Sequence, residues 1–289
     1  MNQRLPSDCE SSTRVPVRTL EETSSSWLAS VAEEIPVAFR YNGFPHAVMM
    51  ATPQDLRDFA LGFSRSEDII AGLSDVSGIA IQRSADGITI DLTLLGPALH
   101  RYLAGRRVRL LRGHTSCGLC GVEDLGDIES KPLTLGPPTA LNPDAISSAT
   151  AALRDLQPLS RLTRCAHASA WVDIQGELVA VREDVGRHNS LDKLIGALMS
   201  GNTSVNEGFC LITSRCSFEM VQKAAMAGLA TLVSVGAPTA FAVRMAESAG
   251  LALYALSRDG QAVQFAGQAP RDTCSEKSAD LNLQSRLAL

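Results

Sequence analysis

The sequence predicts an α/β protein in two parts, a small N-terminal α+β part followed by a larger C-terminal α/β domain. From residue 178 onward, short apolar runs alternate with patterns of helical period, as in repeated βα units with a largely parallel sheet. In the N-terminal half, strand-like runs flank Asn42-Gly43 and Asp86-Gly87, which are strong hairpin signals. Aromatic residues are only 4% of the 289 residues, which favours helices packed on a sheet over an aromatic-rich all-β fold.

The N-terminal half is expected to contain two strand pairs and two helices. Thr52 is expected to cap the first helix, with Pro53 at the first helical position. A second, short helix over residues 98–104 is expected to lead into a basic strand over 106–112. The predicted strand pairs are 37–41 with 46–50, and 79–82 with 88–94.

The C-terminal half is predicted to open with a helix and then to alternate strands with helices. Gly228 and Gly250 are expected to end two of these helices. Asn189 or Ser190 can cap the helix that is predicted from residue 191. The predicted helices are 145–156, 191–199, 218–227 and 240–249; the predicted strands are 166–172, 178–181, 209–212, 231–235, 251–256 and 262–265.

Composition divides the chain into five segments. Residues 1–33 are rich in Ser, Thr and Glu and are expected to form a mobile leader, and residues 268–289 a similar tail. Residues 113–138 are rich in Gly and Pro without a clear period, which predicts a long loop and linker. The folded parts are then an N-terminal α+β domain over 34–112 and a C-terminal α/β domain over 139–267.

The net charge and the composition of the first residues argue against several classes of protein. The net charge of −5 argues against a general nucleic-acid binder. Residues 1–12 lack the basic start and apolar run of a signal peptide. The uncharged stretch 224–243 is interrupted by Gly228, Gly236 and Pro238, so a strand followed by a helix explains it better than a membrane span. We therefore expect a soluble cytoplasmic protein, whose cysteines are kept reduced.

A Cys-x-x-Cys motif is the sharpest chemical feature of the sequence. Cys117 and Cys120 are surrounded by glycines, which leave both sulfurs accessible, and four arginines and His114 stand just upstream. Positive charge near a thiol lowers its pKa and enriches the nucleophilic thiolate. The alternatives are half of a zinc site or an inert pair of thiols. Because only two thiols cluster and a closed zinc site needs four ligands, we expect no permanent metal.

Three loops of the C-terminal half predict a site for an anionic ligand. Each lies between a strand and a helix: residues 182–189, 213–217 and 236–239. In a parallel sheet such loops gather at the carboxyl edge, where ligands bind and helix N-termini favour anions. Arg187 and Arg215 suit a phosphate-bearing ligand, although each loop alone could be an ordinary polar connection. Burial is the default expectation for His167 and for the remaining central cysteines, Cys165, Cys210 and Cys216.

Taken together, these motifs resemble the FdhD family, the formate dehydrogenase accessory sulfurtransferases. The resemblance covers roughly residues 34–267, the whole predicted folded part. Its most specific stretch is REDVGRHNSLDKLIG over residues 182–196. The other matching segments are Asn42-Gly43 with Pro45-His46, LGF over 61–63 with EDII over 67–70, CGLCG over 117–121, SFEMVQK over 217–223 and APT over 237–239.

The resemblance implies a sulfur carrier that acts for a formate dehydrogenase. Such a protein accepts sulfur from a cysteine desulfurase as a persulfide and passes it to the molybdenum cofactor, Mo-bis(molybdopterin guanine dinucleotide), its bound substrate. It also implies a homodimer, a three-layer C-terminal domain resembling cytidine deaminases, the catalytic subunit of formate dehydrogenase as a partner, and binding of a guanine nucleotide as a cofactor mimic. The residues alone permit either cysteine as the carrier; the resemblance assigns Cys117, with Cys120 assisting.

The expected cofactor contacts come from the three loops and from one further stretch. The loops contribute Asp184, Arg187, His188, Arg215, Ser217, Pro238 and Thr239. The resemblance adds Ala255, Leu256, Ser257, Arg258, Asp259 and Gly260 as a nucleotide-contacting segment, with Arg258 as the anion partner. The loop around Arg215 departs from the family pattern at Cys216, which would place an extra thiol near the ligand.

Three other functions compete with the sulfur carrier as an interpretation of the sequence. A zinc-dependent deaminase needs His-x-Glu followed by Pro-Cys-x-x-Cys, but none of the five histidines has Glu two residues later and Ser116 precedes Cys117. A thioredoxin-like reductase is disfavoured because the CxxC lies between the two halves and not at the start of a βαβ unit. A non-catalytic chaperone that only binds and delivers the cofactor stays open, since it needs neither thiol.

Overall fold

The computed structural model describes residues 10–18, 26–110 and 135–267, with side chains described to residue 105 in the second range. The chain forms a two-stranded, a four-stranded and a six-stranded sheet. Two helices that are distant in sequence, one beside each of the last two sheets, pack against each other. The N-terminal part of the chain is therefore packed on the C-terminal part.

The predicted leader contains a pair of strands. β1 (Ser12–Arg18) pairs antiparallel with β2 (Ser26–Ala32) along its whole length. The prediction of a mobile leader over residues 1–33 is therefore corrected for these two segments. Thr13, Val15 and Val17 alternate with other residues along β1, which is the period of a strand, and the low hydrophobicity of the surrounding sequence hides this pattern.

The N-terminal part is a four-stranded sheet with helices packed against its inner face. Its strands are β3 (Ile35–Tyr41), β4 (Phe44–Ala51), β5 (Val76–Ser84) and β6 (Gly87–Leu94), in the order β4-β3-β6-β5. Both predicted hairpins are present, and β3 and β6 run parallel between them. Alternate residues of β3, from Ile35 to Tyr41, point inward and pack against Phe59 and Phe63 of helix α1 (Leu56–Ser66).

Two N-terminal predictions are wrong. Helix α1 begins at Leu56 behind Asp55, so Thr52 and Pro53 lie before the helix and Thr52 is fully buried. The basic strand predicted over 106–112 is replaced, up to Leu110, by the long helix α2 (Gly96–Leu110). Arginine and leucine have high helix propensity, so the helical pattern of residues 98–104 continues instead of ending at Gly105.

The C-terminal sheet has the strand order β12-β11-β10-β9-β7-β8. Strands β9, β10 and β11 are parallel, and β7 is antiparallel to both of its neighbours, so β8 runs in the same direction as β9 to β11. The strands are β7 (His167–Asp173), β8 (Leu178–Asp184), β9 (Gly208–Ile212), β10 (Thr231–Ser234), β11 (Ala252–Leu256) and β12 (Ala262–Ala266). Four of the six strands thus share a direction, as the βα pattern predicts.

Helices cover both faces of this sheet. Cys210 and Ile212 of β9 face a core that is shared with α5 (Arg187–Ser200), α6 (Phe218–Met226) and α7 (Ala240–Ala249). Phe209 and Leu211 face the opposite core, which α3 (Pro143–Leu153) closes. The alternation along one strand therefore produces three layers. A short helix, α4 (Pro158–Thr163), precedes β7.

Helix α5 begins earlier than predicted. Gly186 is its N-cap residue, and Asn189 and Ser190 lie within its first turns, so neither caps the helix. Instead, the Asn189 side chain donates to Met50 O at 2.8 Å and to Asp184 Oδ1 at 3.0 Å. The Asn189 amide, which the local pattern assigns to capping, is therefore engaged in tertiary hydrogen bonds instead.

Candidate functional site

The carboxyl ends of β8, β9, β10 and β11 meet at one edge of the C-terminal sheet. The loops that follow β9 and β10 are joined there by backbone hydrogen bonds from Gly236 N to Ser214 O (3.1 Å) and from Thr239 N to Cys216 O (3.0 Å). A Cβ at Gly236 would lie 2.9 Å from Arg215 Cγ, so only glycine allows this approach. The predicted gathering of the loops at one edge is present, with helices α5, α6 and α7 all beginning there.

Two of the helix N-termini at this edge differ in how they are capped. Thr239 Oγ1 accepts from Ala242 N at 3.2 Å and caps α7. Ser217 is the N-cap residue of α6, but its hydroxyl lies 3.4 Å from Glu219 Oε2 and makes no capping bond. Arg215 is exposed, as is Thr239, and Pro238 is partly exposed between them. Free N–H groups at the start of α6 beside an exposed guanidinium suit an anion.

The first turn of α5 brings two basic side chains to the same edge. Arg187 and His188 are 39% and 26% exposed, and both approach Glu219 of α6, whose Oε2 lies 2.9 Å from His188 Nε2 and 3.9 Å from Arg187 NH2. The close approach of the His188 imidazole, followed by the charge of Arg187, lowers the pKa of the Glu219 carboxyl. Glu219 is thus an ionised carboxylate beside the basic groups of this edge at neutral pH.

His167 belongs to this edge and not to the core. It is the first residue of β7, pairs in register with Asp184 and is partly exposed. Burial lowers the pKa of His167, and the nearby charges of Arg187 and His188 lower it further. The expectation of an ordinary core histidine is therefore wrong. Sequence reasoning missed both His167 and Glu219 as site residues; the position of Glu219 in the first turn after the Ser217 cap was the available signal.

The stretch Arg182-Glu183-Asp184 serves the structure, although it adjoins Arg187 and His188. Arg182 donates to Asp58 Oδ2 at 2.7 and 2.9 Å. Glu183 accepts the backbone N–H groups of Leu159 and Ser160 at the start of α4, both at 2.8 Å. These two side chains therefore hold α1 and α4 against β8.

Asp184 is the centre of a buried polar cluster. Its side chain has no exposed surface; Oδ2 accepts from Thr52 Oγ1 (2.8 Å) and Thr52 N (3.0 Å) and lies 2.7 Å from Lys193 Nζ. Its Oδ1 accepts from Gly186 N at 2.8 Å and from Asn189. The carboxylate therefore has no free face for a ligand, and the prediction of Asp184 as a cofactor contact is corrected. It positions the turn that leads to Arg187.

The last predicted stretch, residues 255–260, lies at the carboxyl end of β11 on the same edge. The side chains of Ala255 and Leu256 are in the core, so any contact that they make with a ligand comes from their backbone. The Ser257 hydroxyl donates to the Asp259 carboxylate, accepts from Gln261 N at 3.1 Å and lies 3.0 Å from Gln261 O, and these contacts hold a tight turn. Arg258, Asp259 and Gly260 are exposed at its tip.

The five central cysteines fall into three groups. Cys117 and Cys120 lie outside the described residues. Cys210 and Cys216 are fully buried as expected, and burial raises the pKa of Cys216 to about 12 and that of Cys210 further. Cys216 therefore offers no thiolate to a ligand, which removes the extra thiol that the sequence suggested. Cys165 is exposed two residues before His167, so the expectation of burial is wrong there.

Among the residues that the structure describes, no group of three or more His, Cys, Asp or Glu side chains is arranged to hold a metal ion. Within the same ranges, every helix is too short or too polar to cross a bilayer.

Comparisons with known proteins agree on one family. The family model described as FdhD/NarQ matches residues 32–270. The chain is 48% identical over 236 residues to the sulfur carrier protein FdhD of Cupriavidus necator, covering 82% of this chain and 81% of that protein. It is 45% identical over 235 residues to the protein of the same name from Xanthomonas euvesicatoria pv. vesicatoria, covering 81% and 83%. The fold matches the crystal structure of a candidate formate dehydrogenase accessory protein from Desulfotalea psychrophila, with a TM-score of 0.66 at 24% identity over 90% of this chain and 97% of that one.

Proposed function

The chain belongs to the FdhD/NarQ family, and from this membership we propose that it is a sulfur carrier protein for a formate dehydrogenase. In this proposal Cys117 takes up sulfur from a cysteine desulfurase as a persulfide. The sulfur then goes to Mo-bis(molybdopterin guanine dinucleotide), the bound substrate. The protein acts in the cytoplasm as a homodimer and associates with the catalytic subunit of formate dehydrogenase.

The uptake step is a thiol exchange that needs no external oxidant. The Cys117 thiolate attacks the outer sulfur of the desulfurase persulfide, a new S–S bond forms, and the desulfurase cysteine leaves as a thiolate. The arginines upstream of the motif favour the attacking thiolate. For delivery, Cys120 either attacks the inner sulfur of the Cys117 persulfide, which releases hydrosulfide and leaves a disulfide for a thiol reductant, or only tunes Cys117.

One observation carries the cofactor part of the proposal, namely that Arg187 and Arg215 share the sheet edge at which α5, α6 and α7 begin. A guanine dinucleotide presents phosphates, and exposed guanidinium groups bind phosphate oxygens with paired donors. The free N–H groups at the start of α6 add further donors of the same kind. The donor set therefore fits a phosphate-bearing nucleotide, with the tip at Arg258 as a further contact.

The test is mass spectrometry of the full chain after incubation with a cysteine desulfurase and cysteine. We expect one added sulfur on Cys117, retained in Cys120→Ala and absent from Cys117→Ala. Loading at Cys120 in Cys117→Ala that equals the wild-type level would reject the assignment of the carrier thiol. The double variant, tested for formate dehydrogenase activity in cells, separates the carrier from a chaperone, because a chaperone that only binds the cofactor keeps its function without either thiol.

A further inference from the structure

The Glu219 carboxylate lies in the cationic corner of the candidate site. Its Oε2 is 2.9 Å from His188 Nε2 and 3.9 Å from Arg187 NH2, and only 16% of the Glu219 side chain is exposed. The Ser217 hydroxyl is 3.4 Å from the same oxygen. Arg187 and His188 of α5 and Ser217, the N-cap residue of α6, thus all approach one carboxylate oxygen.

This oxygen occupies the place that an incoming anion would need. A phosphate bound by the start of α6 would share Arg187, His188 and the Ser217 hydroxyl with Glu219, because these groups surround the entrance to the helix. Two negative charges held about 4 Å apart repel each other strongly at a partly buried position. Glu219 and a ligand phosphate therefore cannot both hold this corner.

The other acidic side chains near this corner do not face its basic groups. Asp184 is buried behind the turn with its oxygens engaged by Thr52, Lys193, Gly186 and Asn189. Glu183 is engaged by the start of α4. Glu219 is thus the acid, among the described residues of these elements, that faces the basic groups at the edge.

We propose that Glu219 is an internal counter-anion of this site, because a ligand must displace its carboxylate from Arg187 and His188. The displacement costs the same for every ligand, whereas the nearby carboxylate repels a ligand with two or more negative charges more strongly than a ligand with one. Glu219 therefore weakens the binding of every anionic ligand at this edge, and that of a nucleotide diphosphate most. This inference rests on the proposed function, since it assumes that the edge binds the nucleotide part of the cofactor.

The test is calorimetry of the full chain with guanosine diphosphate and with cyclic guanosine monophosphate, which carries one charge. Glu219→Gln keeps the shape of the side chain and removes its charge. We expect the variant to bind guanosine diphosphate at least about tenfold more tightly than wild type does, and to bind the cyclic nucleotide more tightly by a smaller factor. Glu247→Gln is the matched control, because it removes the same charge from an exposed position of α7 and should change affinity less than about twofold.

The outcomes separate this inference from the proposed function. If wild type binds guanosine diphosphate and Glu219→Gln binds it equally or more weakly, Glu219 is not a counter-anion and the nucleotide site stands. If neither protein binds, both the site and the counter-anion are rejected, while sulfur loading of Cys117 still decides the carrier role. If only the variant binds, both are supported. Should Glu219→Gln fail to fold, Glu219→Ala, which also removes the negative charge, must give the same direction of change.

Discussion

Gly62 of α1 contacts the backbone of Asp192 of α5 so closely that a Cβ at Gly62 would lie 1.6 Å from the Asp192 carbonyl oxygen. The contact is reciprocal, because a Cβ at Gly196 of α5 would lie 1.9 Å from the carbonyl oxygen of Asp58 in α1. The two helices therefore cross with their backbones in contact. This crossing fixes α5, whose first turn carries Arg187 and His188, against the N-terminal part.

Replacing either crossing glycine should destabilise the whole protein. We expect Gly62→Ala and Gly196→Ala each to lower the free energy of unfolding by about 3 kcal/mol or more, because the methyl group overlaps backbone that cannot move independently. Urea denaturation followed by circular dichroism measures the change. Gly105→Ala is the matched control: this glycine is helical and exposed, with open space at its Cβ position, so it should be neutral or slightly stabilising. Equal stability of Gly196→Ala and Gly105→Ala would contradict the close crossing.

Removing the charge of Lys193 should be far more costly than removing that of a surface base. Lys193 Nζ is fully buried 2.7 Å from Asp184 and donates to Thr52 Oγ1 at 2.8 Å, so Lys193→Met leaves a buried carboxylate without its cation. We expect a loss of about 3–5 kcal/mol in unfolding free energy. Arg101→Met breaks the exposed pair with Asp75 and should cost less than about 1 kcal/mol. A Lys193→Met variant as stable as Arg101→Met would show that the cluster does not join the two parts.

The described cysteines should differ sharply in reactivity. Brief treatment of the native protein with iodoacetamide at neutral pH should alkylate Cys165, which is exposed. Cys210 and Cys216 should stay unmodified, because they are buried and the pKa of each thiol is raised, that of Cys216 to about 12. Peptide mass mapping measures the modification, and all three should react after unfolding in guanidinium chloride. Rapid labelling of Cys216 in the folded protein would restore it as a candidate thiol of the site.

The two arginines of the sheet edge should both contribute to nucleotide affinity. We expect Arg187→Ala and Arg215→Ala each to weaken the binding of guanosine diphosphate by about tenfold, because each loses a charge-assisted hydrogen bond to phosphate. Arg101→Ala, which removes an exposed arginine of α2, is the control and should leave affinity unchanged. The comparison is made by calorimetry at low and at physiological salt, and the loss should shrink as salt rises. Unchanged affinity in both site variants would remove the proposed placement of the nucleotide.

Local patterns were sufficient for most of the secondary structure. The turn dipeptide Asn42-Gly43 correctly predicts its hairpin, and helix α7 has the predicted bounds, with Thr239 as its cap. Both depend on neighbours within a few positions, whose effects on the backbone are visible in the sequence. Family membership, too, rests on motifs that the sequence displays in order.

Two of the wrong predictions, the caps at Thr52 and at Asn189, failed because these residues bond to partners far along the chain. Thr52 has the local signature of an N-cap, yet it turns away from α1 to bond Asp184 and Lys193, which lie 132 and 141 positions later. Asn189 gives up capping because its amide reaches Met50, 139 positions earlier. No local window contains either partner, so propensity could not predict these exchanges.

The sequence by itself determined the family, the order of the strands and helices of the C-terminal domain, and the presence of two closely spaced thiols at Cys117 and Cys120. Only the tertiary structure shows that residues 182–184 of the motif hold other elements in place, whereas Arg187 and His188 face the sheet edge. Asp184 becomes buried because Thr52 and Lys193 converge on it, while Glu219 comes to His188 because α5 and α6 begin at the same edge. The sequence identifies the charged side chains, but packing between distant segments decides whether each one contacts solvent, a ligand or a buried counter-charge.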